Sequence, residues 1–395
     1  MGATFAVTEM QPTPPWARKP SWVTSSPDSW QKSSPQAIFC SVARLTAAVA
    51  SLTPMTFSKP RFNGIQLDFA SDKYRGTMLL SRISEPDGAQ TSPGQITAAA
   101  RTDNTNLVGG RVEVQVGDFV KVGGTFINSH HSQTQNDALS GNFFKGSLTG
   151  SQNLENLSFI EIKIKDDSPE DGVGGGALFD ADILLWDIEG NQTRGSEIGY
   201  RAVIEGGFQR KGFLAADGSE EILLRYDLLD RTYSGPDPAE IERIQLELVV
   251  ANDYAIEVSS DLQTDIFLRQ VFVPVANARG NVRDSSNQRV LVFDYGLPTA
   301  NQIAGFTVEL TDLEGFDGYF ELNVNNRWSK FPNPSLEKHH ASGQKSMAWM
   351  ANVSRVAHPY FAYGELFQTD PEYATSFRTV QETGIVDYRD NLKLY

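Results

Sequence analysis

The chain has 395 residues, and its 34 Lys and Arg against 49 Asp and Glu give a formal net charge of -15. This acidic balance opposes attraction to phosphate backbones and to anionic lipid surfaces, which makes nucleic acid a poor candidate partner. The single cysteine, Cys40, excludes an intramolecular disulfide framework. No run of about 20 apolar residues is present, which excludes a membrane-spanning helix and leaves a spanning β-barrel open.

Residues 1–56 are rich in Pro, Ser and Thr, as in PTPPWARKPSWVTSSPDSW. This composition buries too little apolar surface to offset chain entropy, so a disordered arm is predicted. Residues 37–52 have an apolar middle and an Ala-x-Ala-like end, but Arg44 interrupts them and they start late for a signal peptide. A short amphipathic helix or part of the arm is favoured there, with a degraded export signal as the alternative.

Residues 57–150 consist of short alternating runs with turn residues between them, which is the period-2 pattern of half-buried strands. The clearest hairpin is RVEVQVGDFVKVGGTFIN, in which valines alternate with polar residues on both sides of a turn at Gly117 and Asp118. We therefore predict antiparallel barrel-type strands for this part of the chain.

Residues 151–280 have a different pattern, with more aliphatic strands. Seven such runs are separated by loops: FIEIKIK, DILLWDI, YRAVIE, EEILLRYDL, IERIQLELVV, YAIEVSS and QVFVPV. Seven short strands with turn signals between them are typical of an antiparallel sandwich, and their spacing is close to that of a jelly roll.

Residues 281–395 return to the first pattern. Phe306, Val308 and Leu310 alternate with polar residues, and a second run follows a turn near Glu314 and Gly315. The chain is thus predicted to be all-β, with about eight or nine barrel-type antiparallel strands flanking an inserted, jelly-roll-like β-sandwich.

Alternation alone does not say which face of a sheet meets water, because a soluble sandwich buries its apolar face and a membrane barrel exposes it. The flanks, which include RFNGIQLDF, NLVGGRVEVQVGDFVKVGGTFIN and GFTVELTDLEGFDGYFELNVNNRW, resemble the strands of bacterial outer-membrane β-barrel surface proteins. The middle resembles a galactose-binding-like or carbohydrate-module sandwich. The chain departs from this pattern in lacking a convincing export signal and a terminal aromatic-ended strand.

Two groups of residues in the middle are candidate binding sites. Carboxylates in and after the loop DDSPEDGVGGG offer the oxygen ligands that Ca²⁺ accepts, although their spacing is not that of an EF-hand. These carboxylates are Asp166, Asp167, Glu170, Asp171, Asp180 and Asp182. Phe208 and Phe213, in the Gly-bounded segment GGFQRKGF, are candidates for stacking on a sugar ring.

No catalytic motif is present: the sequence has no Gly-x-Ser-x-Gly elbow, no His-Glu-x-x-His helix and no phosphate-binding Gly loop ending in Lys. The favoured hypothesis is a non-enzymatic protein of the bacterial outer membrane or cell surface, whose sandwich faces outward and binds a glycan, another surface polymer or calcium. The first rival is a soluble secreted carbohydrate-binding or adhesion protein made of sandwiches. The second is a glycoside hydrolase, which would need two carboxylates facing each other across a cleft.

Overall fold

The computed structural model describes residues 2–6, 39–82, 103–133, 142–148, 156–264, 269–378 and 385–387. These residues form antiparallel sheets joined by turns and four short 3-10 turns, which confirms the predicted all-β fold. Within these ranges, no helix has the length and apolar character needed to cross a membrane.

The largest sheet has ten strands and draws on both flanks of the sequence. Its middle pair joins strands that lie far apart in the chain, because Val120–Gln133 pairs with Leu297–Leu313 in one register from Leu310 opposite Val120 to Ala300 opposite His130. The order across the sheet is β1-β21-β20-β19-β18-β6-β5-β4-β3-β2. These strands are β1 (Gly2–Ala6), β2 (Phe39–Thr53), β3 (Phe57–Ala70), β4 (Tyr74–Arg82), β5 (Asp103–Val116), β6 (Val120–Gln133), β18 (Leu297–Leu313), β19 (Phe316–Lys330), β20 (Ala341–Ala357) and β21 (Tyr360–Thr369).

The residues between β6 and β18 form two further sheets that pack face to face as a sandwich. One sheet has the order β10-β13-β7-β15-β16, and the other has the order β11-β12-β8-β14-β17 with β9 beside β8. These strands are β7 (Phe159–Asp166), β8 (Gly176–Asp187), β9 (Gln192–Arg194), β10 (Val203–Gly206), β11 (Phe208–Arg210), β12 (Phe213–Ala216), β13 (Glu221–Asp227), β14 (Ile241–Ala251), β15 (Tyr254–Ser260), β16 (Val273–Asn277) and β17 (Arg289–Asp294). A separate small hairpin joins β22 (Ser376–Arg378) and β23 (Ile385–Asp387).

Alternating aliphatic side chains form the core of the sandwich. Ile160, Ile162 and Ile164 of β7 are fully buried, and so are Ile244 and Leu246 of β14 in the facing sheet. Their polar neighbours point to the other side of each strand, as the period of two requires. The buried side of each strand is therefore the side on which its aliphatic residues alternate.

The disordered arm predicted for residues 1–56 differs from the structure at both ends, where β1 and β2 are strands. β2 covers most of the apolar stretch 37–52, for which a helix or part of the arm was expected. The reason is that β3 lies alongside and supplies a pairing partner, as in Val42 opposite Leu67, which composition alone does not reveal. The Pro- and Ser-rich residues 7–38 lie outside the described residues.

Candidate functional site

One face of the ten-stranded sheet carries large apolar side chains that are exposed. Phe306 is 44% exposed, whereas the next residue, Thr307, points to the opposite face and is 2% exposed. The same contrast holds on β19, where Val324 is 38% exposed and Asn325 is fully buried. The exposed apolar set on this face includes Ile65, Phe69, Tyr74, Met78, Val112, Phe306, Phe320, Val324, Met347, Val353 and Leu366.

Strand register arranges these side chains in continuous rows. On β18 the rows are marked by Leu310, Val308, Phe306 and Ala304. Their partners on β5, β6, β19 and β20 in the same four rows are all apolar or glycine. We call these four rows on five strands the apolar belt.

Two exposed cationic side chains lie at the two edges of the belt on β20. Lys345 and Arg355 point to the same face as Met347 and Val353, and they lie just beyond the first and last rows. They are ten residues apart in the sequence, which corresponds to about 34 Å along an antiparallel strand. At the tilt usual in membrane barrels, that length spans about 25 Å, the height of a lipid-facing band.

In the middle of the sheet the opposite face is polar and buried, whereas Phe361 and Phe367 of β21 are exposed on it. Glu321, Asn323 and Asn325 of β19 are fully buried, although their side chains are charged or strongly polar. The Tyr319 hydroxyl donates a 2.8 Å hydrogen bond to Glu321, and the Asn323 amide donates one of 2.7 Å. Burying polar groups while exposing apolar ones is the inverse of a soluble half-exposed sheet.

Two segments of the chain cover this polar face: residues 52–57, at the turn between β2 and β3, and residues 370–376, which follow β21. We call them together the plug. The Tyr373 hydroxyl donates to the carbonyl oxygen of Met55 at 2.9 Å, which joins the two segments. Asn301 of β18 donates to the carbonyl oxygen of Ala374 at 2.9 Å. Apolar side chains of residues 52–57 complete a buried cluster with the sheet: Leu52, Phe57, Leu79, Leu107, Ile127 and Ile303.

The two ends of the sheet differ in the length of their connections. At one end the turns are short: residues 71–73, 117–119, 314–315 and 358–359. At the other end the strands are joined by residues 331–340, by the whole sandwich and by one short turn, 54–56, and β4 and β5 are there separated by 20 residues of sequence. Membrane barrels of bacterial outer membranes have the same asymmetry, with short turns on the inner side and long loops outside.

The sandwich is attached at the long-loop end. Phe331, from the connection after β19, is buried in the sandwich core with its ring 6.3 Å from that of Tyr295. Asn333 donates to the carbonyl oxygen of Ile241 at 2.7 Å, and Gln344 donates to that of Val275 at 2.6 Å. These contacts fix the sandwich to the end of the sheet that carries the long connections.

A cleft of about 280 Å³ opens between the edges of the two sandwich sheets. Aromatic rings line one part of it, where the centroids of Phe179 and Phe213 lie 5.2 Å apart. Its polar lining residues are Gln209, Asp180 and Arg201, of which the last two form an exposed ion pair of 3.8 Å, and the other lining residues are aliphatic or glycine. Aromatic faces beside a few polar groups suit a sugar, which has both apolar faces and hydroxyl edges.

The two phenylalanines singled out in the sequence lie on the same face of the β11–β12 hairpin. Phe208 pairs with Ala215 and Arg210 pairs with Phe213, so the two aromatic residues are diagonal neighbours. Phe213 lines the cleft, and Phe208 lies beside it with 49% of its surface exposed. The sequence did not identify Phe179 and Arg201, because they belong to different sheets and come together only where the two sheets pack.

The six carboxylates proposed for calcium separate into two places. Asp180 and Asp182 lie on β8, where Asp180 pairs with Arg201, and Asp182 accepts from Arg194 at 3.2 Å and from Ser196 at 2.6 Å. The other four lie around the loop after β7. There Asp166 accepts from two backbone amides, Asp167 accepts from Asn277, Asp171 pairs with Arg283, and Glu170 is exposed. Within the described ranges, no group of three or more His, Cys, Asp or Glu side chains is arranged to hold a metal ion. Calcium therefore stays a prediction.

Asp253 joins the loop cluster and was not identified from the sequence. It is 3% exposed, and its Oδ2 atom has no hydrogen-bond partner among the described residues. Burial raises its pKa above the ordinary value, and the negative charges of Asp167, Asp166 and Asp171 raise it further, against a lowering by the Ser168 hydrogen bond. The raised pKa means that the ionised form of Asp253 destabilises the folded state.

We expect Asp253→Asn to stabilise the sandwich at neutral pH. Because the pKa of Asp253 is raised on folding, its contribution to stability is greatest below the ordinary carboxyl pKa and falls as pH rises through the folded value. An unsatisfied buried polar group destabilises a fold by about 1–3 kcal/mol. In calorimetry of the full chain, the melting temperature of the sandwich should therefore rise by about 2–4 °C for each kcal/mol of stability gained. The gain should disappear below about pH 4. A loss of stability at pH 7 would show that the Asp253 carboxylate is required, as a bound cation would require it.

Comparisons with known proteins add little. No known family model matches the sequence, and no curated protein matches it. One solved structure that it matches is the P. putida toluene transporter TodX, with 14% identity over 85% of this chain and 74% of that chain, and a TM-score of 0.15. That TM-score is too low to indicate a shared fold.

Proposed function

We propose that this chain is a non-enzymatic binding protein of the bacterial outer membrane, in which the ten-stranded sheet lies in the bilayer and holds the sandwich on the outside. The observation that carries the proposal is the inverted polarity of the sheet, with Phe306 44% exposed and Glu321 fully buried. A soluble sheet with such a belt would present a large apolar patch to water, which favours aggregation.

The plug supports an anchoring role for the sheet. Residues 52–57 and 370–376 cover the polar face with hydrogen bonds to Arg111, Asn301 and Asn325, so that face is occupied by the chain itself. An open diffusion channel would instead have a polar face lined by water. The covered face therefore supports attachment of the sandwich as the role of the sheet.

The membrane proposal is tested by extraction and by gel mobility. We expect the chain to remain in the membrane fraction until detergent is added, and to migrate differently on gels with and without heating. Purification as a monodisperse protein without detergent would overturn the proposal in favour of the soluble secreted rival.

For the sandwich we propose glycan binding in the cleft lined by Phe179, Phe213 and Arg201. Phe213→Ala removes a stacking face and Arg201→Ala removes a charged donor, so each should weaken binding of a glycan-array hit about tenfold, or about 1.4 kcal/mol. Val290→Ala is the matched control, because Val290 is 56% exposed on β17 at the opposite edge of the same sheet. Equal affinity for all three variants and the wild type would exclude this cleft.

Calcium at the loop cluster around Asp253 is a secondary proposal and the rival of the stabilisation expected for Asp253→Asn, since a bound cation would make the Asp253 carboxylate stabilising. The unpartnered Oδ2 atom of that side chain and the carboxylates of Asp166 and Asp167 beside it support it. Calorimetry of the full chain with calcium or with EGTA tests it, and an identical sandwich transition in both would remove it.

A further inference from the structure

A short segment after β6 lies against the outward face of the ten-stranded sheet. Within residues 142–148, the carbonyl oxygen of Phe144 accepts from Asn128 at 2.8 Å, and that of Lys145 accepts from Thr299 at 2.7 Å. The Phe144 ring also packs edge-on against Phe126, with centroids 5.3 Å apart. The segment is therefore fixed at the row just above the apolar belt.

This segment changes the polarity of that part of the outward face. Asn128 and His130 point outward on β6, yet they are 0% and 4% exposed, because the segment covers them. Their side chains hydrogen-bond each other at 2.7 Å, and the Phe143 ring lies 5.6 Å from that of His130. In place of these two polar side chains, the outer surface there carries the Phe143 ring, which is 50% exposed.

One lysine lies over an indole ring near this edge of the belt, and a second lysine lies one row closer to the belt on the neighbouring strand. The Lys145 ammonium lies 4.2 Å from the ring centroid of Trp328. That ring extends over Gly343 on β20, where an added Cβ would lie 2.7 Å from it. Lys345, two residues further along β20, is exposed on the same face as Gly343. Lysine, tryptophan and phenylalanine side chains at the edge of an apolar band are the groups that meet lipid headgroups.

We propose that Phe143, Lys145, Trp328 and Lys345 form a rim site that binds the anionic headgroup of a membrane lipid. The inference rests on the proposed membrane location of the sheet. The phenylalanine contacts the acyl region, the indole lies at the boundary, and the two ammonium groups meet the negative headgroup. The site is a local cationic patch on a chain whose net charge is -15, so it selects a lipid at one position and does not attract the whole protein to an anionic surface.

The test is lipid retention by the full chain in detergent, measured by native mass spectrometry with added phosphatidylglycerol or phosphatidylcholine. We expect the wild type to retain phosphatidylglycerol preferentially. At about 1 kcal/mol for each cation near the surface, each lysine corresponds to about fivefold, so Lys145→Gln with Lys345→Gln should weaken retention about 25-fold. The matching arginine double variant should keep it, because the charges remain.

Lys211→Gln is the matched control, because Lys211 is exposed on the sandwich between β11 and β12. It should retain phosphatidylglycerol like the wild type. Equal retention of the two lipids by the wild type would overturn the rim site, and so would unchanged retention in the double glutamine variant. Displacement of the lipid by millimolar inorganic phosphate would assign the lysines to a free anion instead. A chain that needs no detergent would overturn the membrane proposal before any lipid is added.

Discussion

With the sheet in the bilayer, as proposed, Phe306→Lys is expected to reduce the assembled, membrane-inserted fraction of the chain by about 30-fold or more. Phe306 lies in the third row of the apolar belt, with apolar or glycine partners on both neighbouring strands: Gly124 and Leu322. A lysine at the midplane of a membrane barrel costs about 2–4 kcal/mol, and each 1.4 kcal/mol is a factor of ten. The measurement is the fraction that refolds into lipid vesicles across a urea series, read from gel mobility without heating.

Gln302→Lys is the matched control for this substitution. Gln302 points to the same face of the same strand, four residues away and one row above the belt, opposite Asn128 and Asn326. There the lysine reaches the headgroup region, so the expected cost is about 0–1 kcal/mol. Equal losses for the two lysine variants would show that depth does not matter, and therefore that the belt does not face lipid. Phe306→Leu should assemble normally, which separates the charge from the loss of the ring.

The sequence predicts the strands β3 to β6 and β18 to β21 well, because neighbouring strands there pair locally, but it misses β1 and β2 in the predicted arm. The valines around Gly117 fix the hairpin of β5 and β6, and Gly117 itself has the positive φ that the turn needs. The pairing of β6 with β18 has no such signal. Those strands are separated by the whole sandwich, and only the tertiary structure brings Gly124 opposite Phe306.

The orientation of the sheet faces is also beyond a single sequence. Alternation separates Phe306 from Thr307 but does not say which of them is covered. In the structure the answer depends on residues 52–57 and 370–376, because these segments cover the polar face. Tyr373 and Met55, which join them, are 318 residues apart. Contacts at such separation follow from the closing of the fold and leave no periodic pattern.

The candidate cleft shows the same limit. Phe213 was selected because flanking glycines predicted exposure, and it lines the cleft. Arg201 precedes β10 in one sheet while Phe179 belongs to β8 in the other, so only the packing of the two sheets puts them side by side. Asp253 was missed for a similar reason, since its bridge to Gly175 brings it to a loop almost 80 residues earlier.

Arg111→Met is expected to lower the free energy of unfolding by about 3–5 kcal/mol. Arg111 is 10% exposed on the polar face of β5, where it forms a 2.8 Å ion pair with Glu113. It also donates to Thr307 at 3.0 Å and to the carbonyl oxygen of Leu52, in the plug, at 3.1 Å. Removing Arg111 leaves the Glu113 carboxylate, whose side chain is only 20% exposed, without its cation, which is the costly way to break a largely buried pair.

The Arg111 substitution also tests whether the plug depends on this ion pair. Lys121→Met is the control, because the Lys121–Glu309 pair faces the same side at 3.2 Å but is 32% and 39% exposed, so its loss should cost about 0–1 kcal/mol. Adding Glu113→Gln to Arg111→Met should recover part of the stability, since the uncompensated charge is then removed. Urea unfolding in lipid vesicles measures the free energy of unfolding of the wild type, of the two single variants and of the double variant. If Arg111→Met lowers the free energy of unfolding no more than Lys121→Met does, water reaches the polar face, and the plug does not exclude it. In that case, contact between the plug and the sheet does not stabilise the sheet.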